Sequence, residues 1–278
     1  MGQFYEEIPE NILSWVLTQK IFWVSTAPLS GNGHVNVSPK GGDCFFRVPD
    51  QRTFLYHDMT GSGAETISHL LEPNNGRITI MFNAFDGPPR IVRFWGKGRV
   101  LECGSPEFNR IIERENITPE PGTRSIILVD IHQVGSSCGY QVPFFNYVKN
   151  RDVLDNFFKK KRERFDQGNE KESMDLYWAY KNAWSIDGLP AMQRGLAAGR
   201  QFSIEPIKKM VGPFAPKNGA SATRAELHAS YLVIAFLITL IVILAATHPA
   251  FEFYPAQKRM QELITQITYA PGSPSASA

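Results

Sequence analysis

Apolar and polar side chains alternate in six stretches of the chain: 22–27, 34–38, 53–58, 77–85, 91–101 and 125–133. A period of two puts every second side chain on one face, so each stretch predicts a half-buried β-strand. Turn residues separate most of them, and Ser30-Gly31-Asn32-Gly33 reads as a hairpin between the first two. Gly96 and Gly98, inside the fifth stretch, predict a bulge or a sharp barrel corner. Two short helical patterns, 66–71 and 106–115, lie between strands. Upstream, Pro9-Glu10 opens a helix that aligns Ile8, Ile12, Trp15 and Val16 on one face. Six strands with peripheral helices predict a mainly β (α+β) fold, a small antiparallel barrel.

From Asn146 the pattern turns helical and charged. Val153-Leu154, Phe157-Phe158 and Phe165 recur near helical spacing, interleaved with Lys159-Lys160-Lys161-Arg162-Glu163-Arg164. That basic run suits either anionic lipid or, more simply, a solvated helix face. A third regime begins near residue 227. From Leu227 to Phe251 there is no Asp, Glu, Lys or Arg, and 229–247 is apolar on every helical face. As a helix it spans on the order of 28 Å, close to a hydrocarbon core of about 30 Å. A transmembrane helix is the expectation here, against the alternative of a buried core element. Lys208, Lys209, Lys217 and Arg224 precede it and Lys258 and Arg259 follow, which predicts that the N-terminal side faces the cytoplasm. Residues 1–20 have no long apolar core and contain Glu6, Glu7 and Glu10, so no signal peptide is expected.

Composition narrows the chemistry. Of 278 residues 43% are hydrophobic and 20% charged, enough apolar material for a core. A net charge of +2 argues against a nucleic-acid binder. Cys44, Cys103 and Cys138 are isolated, with no C-x-x-C spacing, so neither a zinc knuckle nor a disulfide framework is expected and no metal site is assigned.

The candidate site lies in two pieces. Val35-Asn36-Val37-Ser38-Pro39-Lys40-Gly41 ends a strand on a lysine, and Asp58-Met59-Thr60-Gly61-Ser62-Gly63-Ala64-Glu65-Thr66 is a glycine-rich turn opening a helix. Together they offer a cation, hydroxyls and backbone N–H groups, a set suited to a phosphate, although an exposed lysine beside a surface turn has the same composition. Farther on, Gly87-Pro88-Pro89-Arg90-Ile91-Val92-Arg93 stiffens the approach to a strand bearing two arginines on opposite faces. No catalytic triad is evident: His34, His57, His69 and His132 are scattered, and no catalytic residue is assigned.

These motifs carry a resemblance. Trp23-Val24-Ser25-Thr26-Ala27-Pro28-Leu29, Asn36-Val37-Ser38-Pro39-Lys40-Gly41, Thr60-Gly61-Ser62-Gly63-Ala64-Glu65-Thr66 and 81–90, in that order, resemble the pyridoxamine 5′-phosphate oxidase-like family, whose members fold as FMN-binding split β-barrels. The likeness returns at 181–190. It implies an FMN cofactor, with the phosphate and ribityl chain received by Ser38, Lys40, Thr60, Gly61, Ser62 and Gly63. With a flavin bound, one of Arg90 and Arg93 could face its ring while the other faces solvent, the alternative for each being a surface arginine whose stem covers barrel aromatics. Asp187, in the turn 185–190, would then either cap a helix or fold over the flavin site or the partner subunit. A homodimer with flavin at the subunit interface is implied as well. True pyridoxamine phosphate oxidases carry a C-terminal region with a Trp and an Arg-Leu-x-Pro ending that binds substrate phosphate; no such ending is found here, which argues against vitamin B6 oxidation and leaves the substrate open.

The expected layout is an FMN-binding split β-barrel domain over 1–145, a charged helical extension over 146–210, a linker over 211–228, the transmembrane helix over 229–247 and a largely disordered tail over 248–278. The expected function is a membrane-anchored FMN-dependent oxidoreductase acting on a small-molecule substrate. The alternative is a non-catalytic flavin-, haem- or B6-phosphate-binding module tethered to a membrane.

Overall fold

The alternation is realised as a strongly curled antiparallel sheet. The computed structural model describes residues 2–42, 45–213, 215, 232–241, 259–262 and 264–265, and the chain divides into two compact units, 1–219 and 220–278. In the first, eight strands form the sheet: β1 (Gln3–Tyr5), β2 (Ile21–Thr26), β3 (Asn36–Gly41), β4 (Phe46–Asp50), β5 (Thr53–Met59), β6 (Arg77–Asn83), β7 (Ile91–Glu102) and β8 (Thr123–Ser137). Their order is β3-β2-β6-β7-β8-β5-β4, with β1 added to β8. The sheet curls into a half-barrel consistent with a split barrel. Two strands exceed the six expected. β1 is only three residues long, and β4 contains Pro49, which breaks the strand signal. The outer strands of the order, β3 and β4, each carry a proline, Pro39 and Pro49.

The concave face holds the core. Phe22, Val24, Phe54, Tyr56, Ile80, Phe82 and Phe94 are fully buried there. Phe22 sits at the centre, its ring 5.4 Å from Phe54 and Tyr56 and 5.6 Å from Phe46 and Phe82. Each such side chain contributes about 1.5–3 kcal/mol by burial, and edge-to-face contacts fix the geometry. Helix α1 (Glu10–Val16) packs Ile12 and Val16, with Ile8 before it, into this core, as the periodicity predicts. The glycines of β7 mark a bulge, as expected. Register shifts between Trp95 and Gly96, and a Cβ on Gly96 would lie 2.5 Å from the Asp130 carbonyl oxygen.

Helices α2 (Glu65–Leu71) and α3 (Pro106–Arg114) follow β5 and β7. Ser105 caps α3 by accepting the Phe108 N–H at 3.1 Å, and Phe108 and Ile111 cover Leu55, Leu101 and Leu128.

The extension is built onto the same unit. Helices α4 (Val153–Asp166), α5 (Met174–Lys181) and α6 (Gln193–Gln201) make up its regular part. Trp178, Ala191 and Met192 pack against Ala64 and Ile67 around α2, while Phe158 lies against Gly122. The basic run is mostly a solvated face. Lys161 departs from it: it is buried, with Nζ 2.9 Å from Glu172 and lying over the Tyr177 ring.

In the second unit residues 232–241 are helical. Among the described residues no helix is long and apolar enough to cross a membrane. The rest of the 229–247 segment, most of the 211–228 linker, Cys44 and most of the 248–278 tail lie outside the described residues.

Candidate functional site

The ends of β3 and β5, the segment before α1 meets β2, and an irregular stretch after β8 enclose a cleft of about 1110 Å³. Its walls include Lys20, Lys40, Phe45, His57, Thr60, Gly61, Phe85, Phe145 and Tyr147. Strand periodicity explains how Lys40 reaches it: Asn36, Ser38 and Lys40 share the inward face of β3, whereas Val37 and Pro39 point out. On β5 the same rule lines up Phe54, Tyr56 and Asp58 inside the barrel.

Lys40 and Asp58 meet across strands that are not neighbours in the sheet, with Nζ 3.0 Å from the carboxylate. Asp58 is completely buried and also accepts from Arg124 Nε at 2.7 Å and Ser125 Oγ at 3.3 Å. Burial alone would push its carboxyl pKa up. The adjacent Arg124 charge, reinforced by Lys40 and both sets of hydrogen bonds, outweighs that and holds it well below the usual carboxylate range. The result is an ionised triad that ties the open side of the half-barrel together.

The glycine turn is anchored just beyond Asp58. Thr60 is buried; its hydroxyl donates to the Gly122 carbonyl at 2.7 Å and accepts the Trp178 indole N–H at 3.0 Å. That donor is therefore committed to the fold and not turned to the cleft. Asn182 Nδ2 donates to the Gly61 carbonyl at 2.8 Å and the Gly63 carbonyl at 3.3 Å, and Arg124 Nη1 donates to the Gly63 carbonyl at 2.6 Å. Ser62 is exposed at the tip.

The structure thus brings Lys40, Thr60 and Gly61 to one cleft wall, with Ser62 and Gly63 continuing the same turn. Ser38 sits two positions from Lys40 on the same face and donates to Asn36 Oδ1, while Asn36 Nδ2 donates to the Thr66 hydroxyl. The arginines lie elsewhere. Arg90 stacks its guanidinium 5.3 Å over Trp15 of α1. Arg93 is on the convex face of β7, in a row with Trp23 and Met81. Trp95 shares that convex face, stacked on Phe4, beside a second cavity of about 640 Å³ that also includes Arg77, Lys97 and His132. Asp187 caps no helix. It accepts the His34 backbone N–H at 2.8 Å and pairs with the His34 ring at 2.6 Å, fastening 185–190 to the β2–β3 hairpin, while Glu102 caps α6.

The cleft is also lined by polar side chains, among them Gln19, Asp86, Glu120, Asn146 and Arg151, and by His57. His57 is buried beside Phe45, its Nε2 meets no hydrogen-bond partner among the described residues, and burial followed by the nearby Arg47 charge lowers its pKa. The irregular stretch opposite is pinned by aromatic contacts: Phe145 on Phe85 at 5.2 Å, and Tyr147 under the Lys20 ammonium at 5.8 Å.

Four residues of this site were not singled out from sequence: Asp58, Arg124, Trp178 and Asn182. Asp58 carried a signal, a charge on the inward face two positions after Tyr56. Arg124 and Trp178 lie 61 and 118 positions from Gly63 and Thr60, and no local pattern marks them, while Asn182 falls within the 181–190 stretch that carries the resemblance.

A protein from Aspergillus flavus, the pyridoxamine 5′-phosphate oxidase family protein ustO, is 36% identical over 215 residues, covering 73% of this chain and 82% of that protein. No family model matches the chain. Among solved structures, HupZ from Group A Streptococcus is 17% identical with a TM-score of 0.35, covering 46% of this chain and 92% of that one. The FAD binding protein from Mycobacterium smegmatis is 15% identical with a TM-score of 0.33, covering 48% of this chain and 97% of that one.

Proposed function

Because the chain belongs to the pyridoxamine 5′-phosphate oxidase family, we propose that its half-barrel is an FMN-dependent oxidoreductase of that type, acting on a small-molecule substrate. The observation that carries this reading is the meeting of Lys40 with the Gly61–Gly63 turn on the wall of one cleft, although 20 or more positions separate them in the chain. The donor set fits a phosphate: the Lys40 ammonium, the exposed Ser62 hydroxyl and the backbone N–H groups of the turn. The aromatic walls Phe45, Phe85, Phe145 and Tyr147 fit a flat ring, and the volume suits a mononucleotide.

Bound flavin supplies the two-electron chemistry. The chain's own residues bind and orient. Lys40, held by Asp58, presents a fixed positive charge at the edge of the cleft. Phe85 and Phe145 exclude water from one side. A homodimer with flavin at the subunit interface, as the resemblance implies, is the proposed working form.

Absorbance of the purified protein, after addition of FMN and desalting, tests the reading. The expected spectrum shows flavin near one per subunit, lost in Lys40→Ala with Ser62→Ala and weakened in Ser62→Ala alone, which leaves the ion pairs intact. A folded wild-type protein that stays colourless would sink the cofactor assignment and leave a barrel that binds something else.

We also place the protein on a membrane through residues 229–247, with residues 1–210 on the cytoplasmic side. Support comes from the charge-free apolar run and from the large apolar side chains of 232–241, among them Leu232, Phe236 and Ile241, which are exposed on the helix. The full chain should stay in the membrane pellet through alkaline carbonate, and Ile238→Arg with Leu240→Arg should release it. Recovery of wild-type protein in the carbonate supernatant would contradict the anchor.

A further inference from the structure

Asn182 is completely buried and rigidly held. Its backbone N–H donates to the Trp178 carbonyl at 2.7 Å, and its carbonyl accepts the Met192 N–H at 3.1 Å. From that fixed position Nδ2 draws the Gly61 and Gly63 carbonyls to one side of the turn. The chain contains no cis peptide among the described residues. In a trans peptide the N–H points opposite to the C=O of the same unit. The Gly61 carbonyl shares its peptide with the Ser62 N–H, and the Gly63 carbonyl with the Ala64 N–H. Both N–H groups therefore point away from Asn182, and no hydrogen bond among the described residues engages either.

We propose that Asn182 is a positioning residue of the cofactor site, clamping the two carbonyls so that the N–H of the exposed Ser62 is presented to a phosphate, while Ala64 is fully buried. The extension beyond residue 145 thereby completes a site whose other parts lie in the barrel. Trp178 acts with it: its indole N–H on the Thr60 hydroxyl sets where the turn begins. This inference rests on the flavin reading and adds a phosphate-specific role to a residue some 120 positions from the turn.

The test compares FMN with riboflavin, which lacks the phosphate, by quenching of flavin fluorescence in the full chain. Asn182→Asp keeps the side-chain shape but replaces the donor by a carboxylate facing two carbonyls. The expected result is an FMN dissociation constant raised about tenfold or more, equivalent to about 1.4 kcal/mol, with riboflavin binding within about twofold of wild type. FMN and riboflavin weakened alike, or neither changed, would overturn the clamp. If Asn182→Asp does not fold, Ser62→Pro measured against Ser62→Ala decides, because both lack the hydroxyl and only the first lacks the N–H. A further FMN-specific loss in Ser62→Pro supports the proposal, and equal FMN binding in the two overturns it. A wild-type chain that binds neither flavin ends the flavin reading by itself. Inorganic pyrophosphate then settles the clamp: a rise in melting temperature in wild type and not in Asn182→Asp retains it, and no rise in wild type rejects it.

Discussion

Asp58→Asn should destabilise the folded chain by about 3–5 kcal/mol, because it leaves the buried Arg124 and the half-buried Lys40 without a counter-charge. For a unit of this size the melting temperature should fall by on the order of 10 °C. The pH dependence identifies the cause. The folded pKa of Asp58 lies below its unfolded value, so between the two the unfolded chain binds the extra proton. Its stabilising contribution is complete above about pH 4 and is lost as pH falls below that range. Urea midpoints of wild type and variant should therefore differ most near neutrality and converge on acidification. A second substitution, Lys40→Met, should return part of the loss by removing one orphaned cation. Equal urea midpoints at pH 7 would show that the triad is not what ties β3 to β5.

Trp178→Ala is the second large effect. The indole is buried against Ala64, Ile67, Ala191 and Met192, with the Arg194 guanidinium 4.9 Å from its ring. Truncating a buried Trp costs about 3–5 kcal/mol, and here it also takes the hydrogen bond from Thr60. The indole joins the extension to the helix that follows the glycine turn, so one cooperative transition should move as a whole in calorimetry. Two transitions, with the barrel midpoint unchanged, would instead show that 146–210 melts independently.

How far the sequence carried these arguments depended on range. Strands with clean alternation, such as β2 and β7, were legible because one face of each is core and the other is not. The bulge at Gly96 was legible too, since a glycine inside an apolar strand has few other uses. β1 and β4 were not: three residues carry no period, and Pro49 interrupts the other. The same divide runs through the site. Lys40 and the turn at 61–63 announced themselves by local chemistry. Arg124 did not, because its meaning comes from Asp58, 66 positions away. Thr60 shows the opposite limit: a hydroxyl that looks available in the sequence is already bonded on both sides in the fold.

The two prolines at the margins of the sheet have a consequence for the protein among copies of itself. An exposed strand margin is a template on which a second chain can extend the ladder, the first step of fibril growth. Pro39 and Pro49 each remove an N–H from the strands that form those margins. Neither margin can therefore offer an uninterrupted run of donors, and chains crowded together are steered away from edge-to-edge growth toward contacts made by side chains.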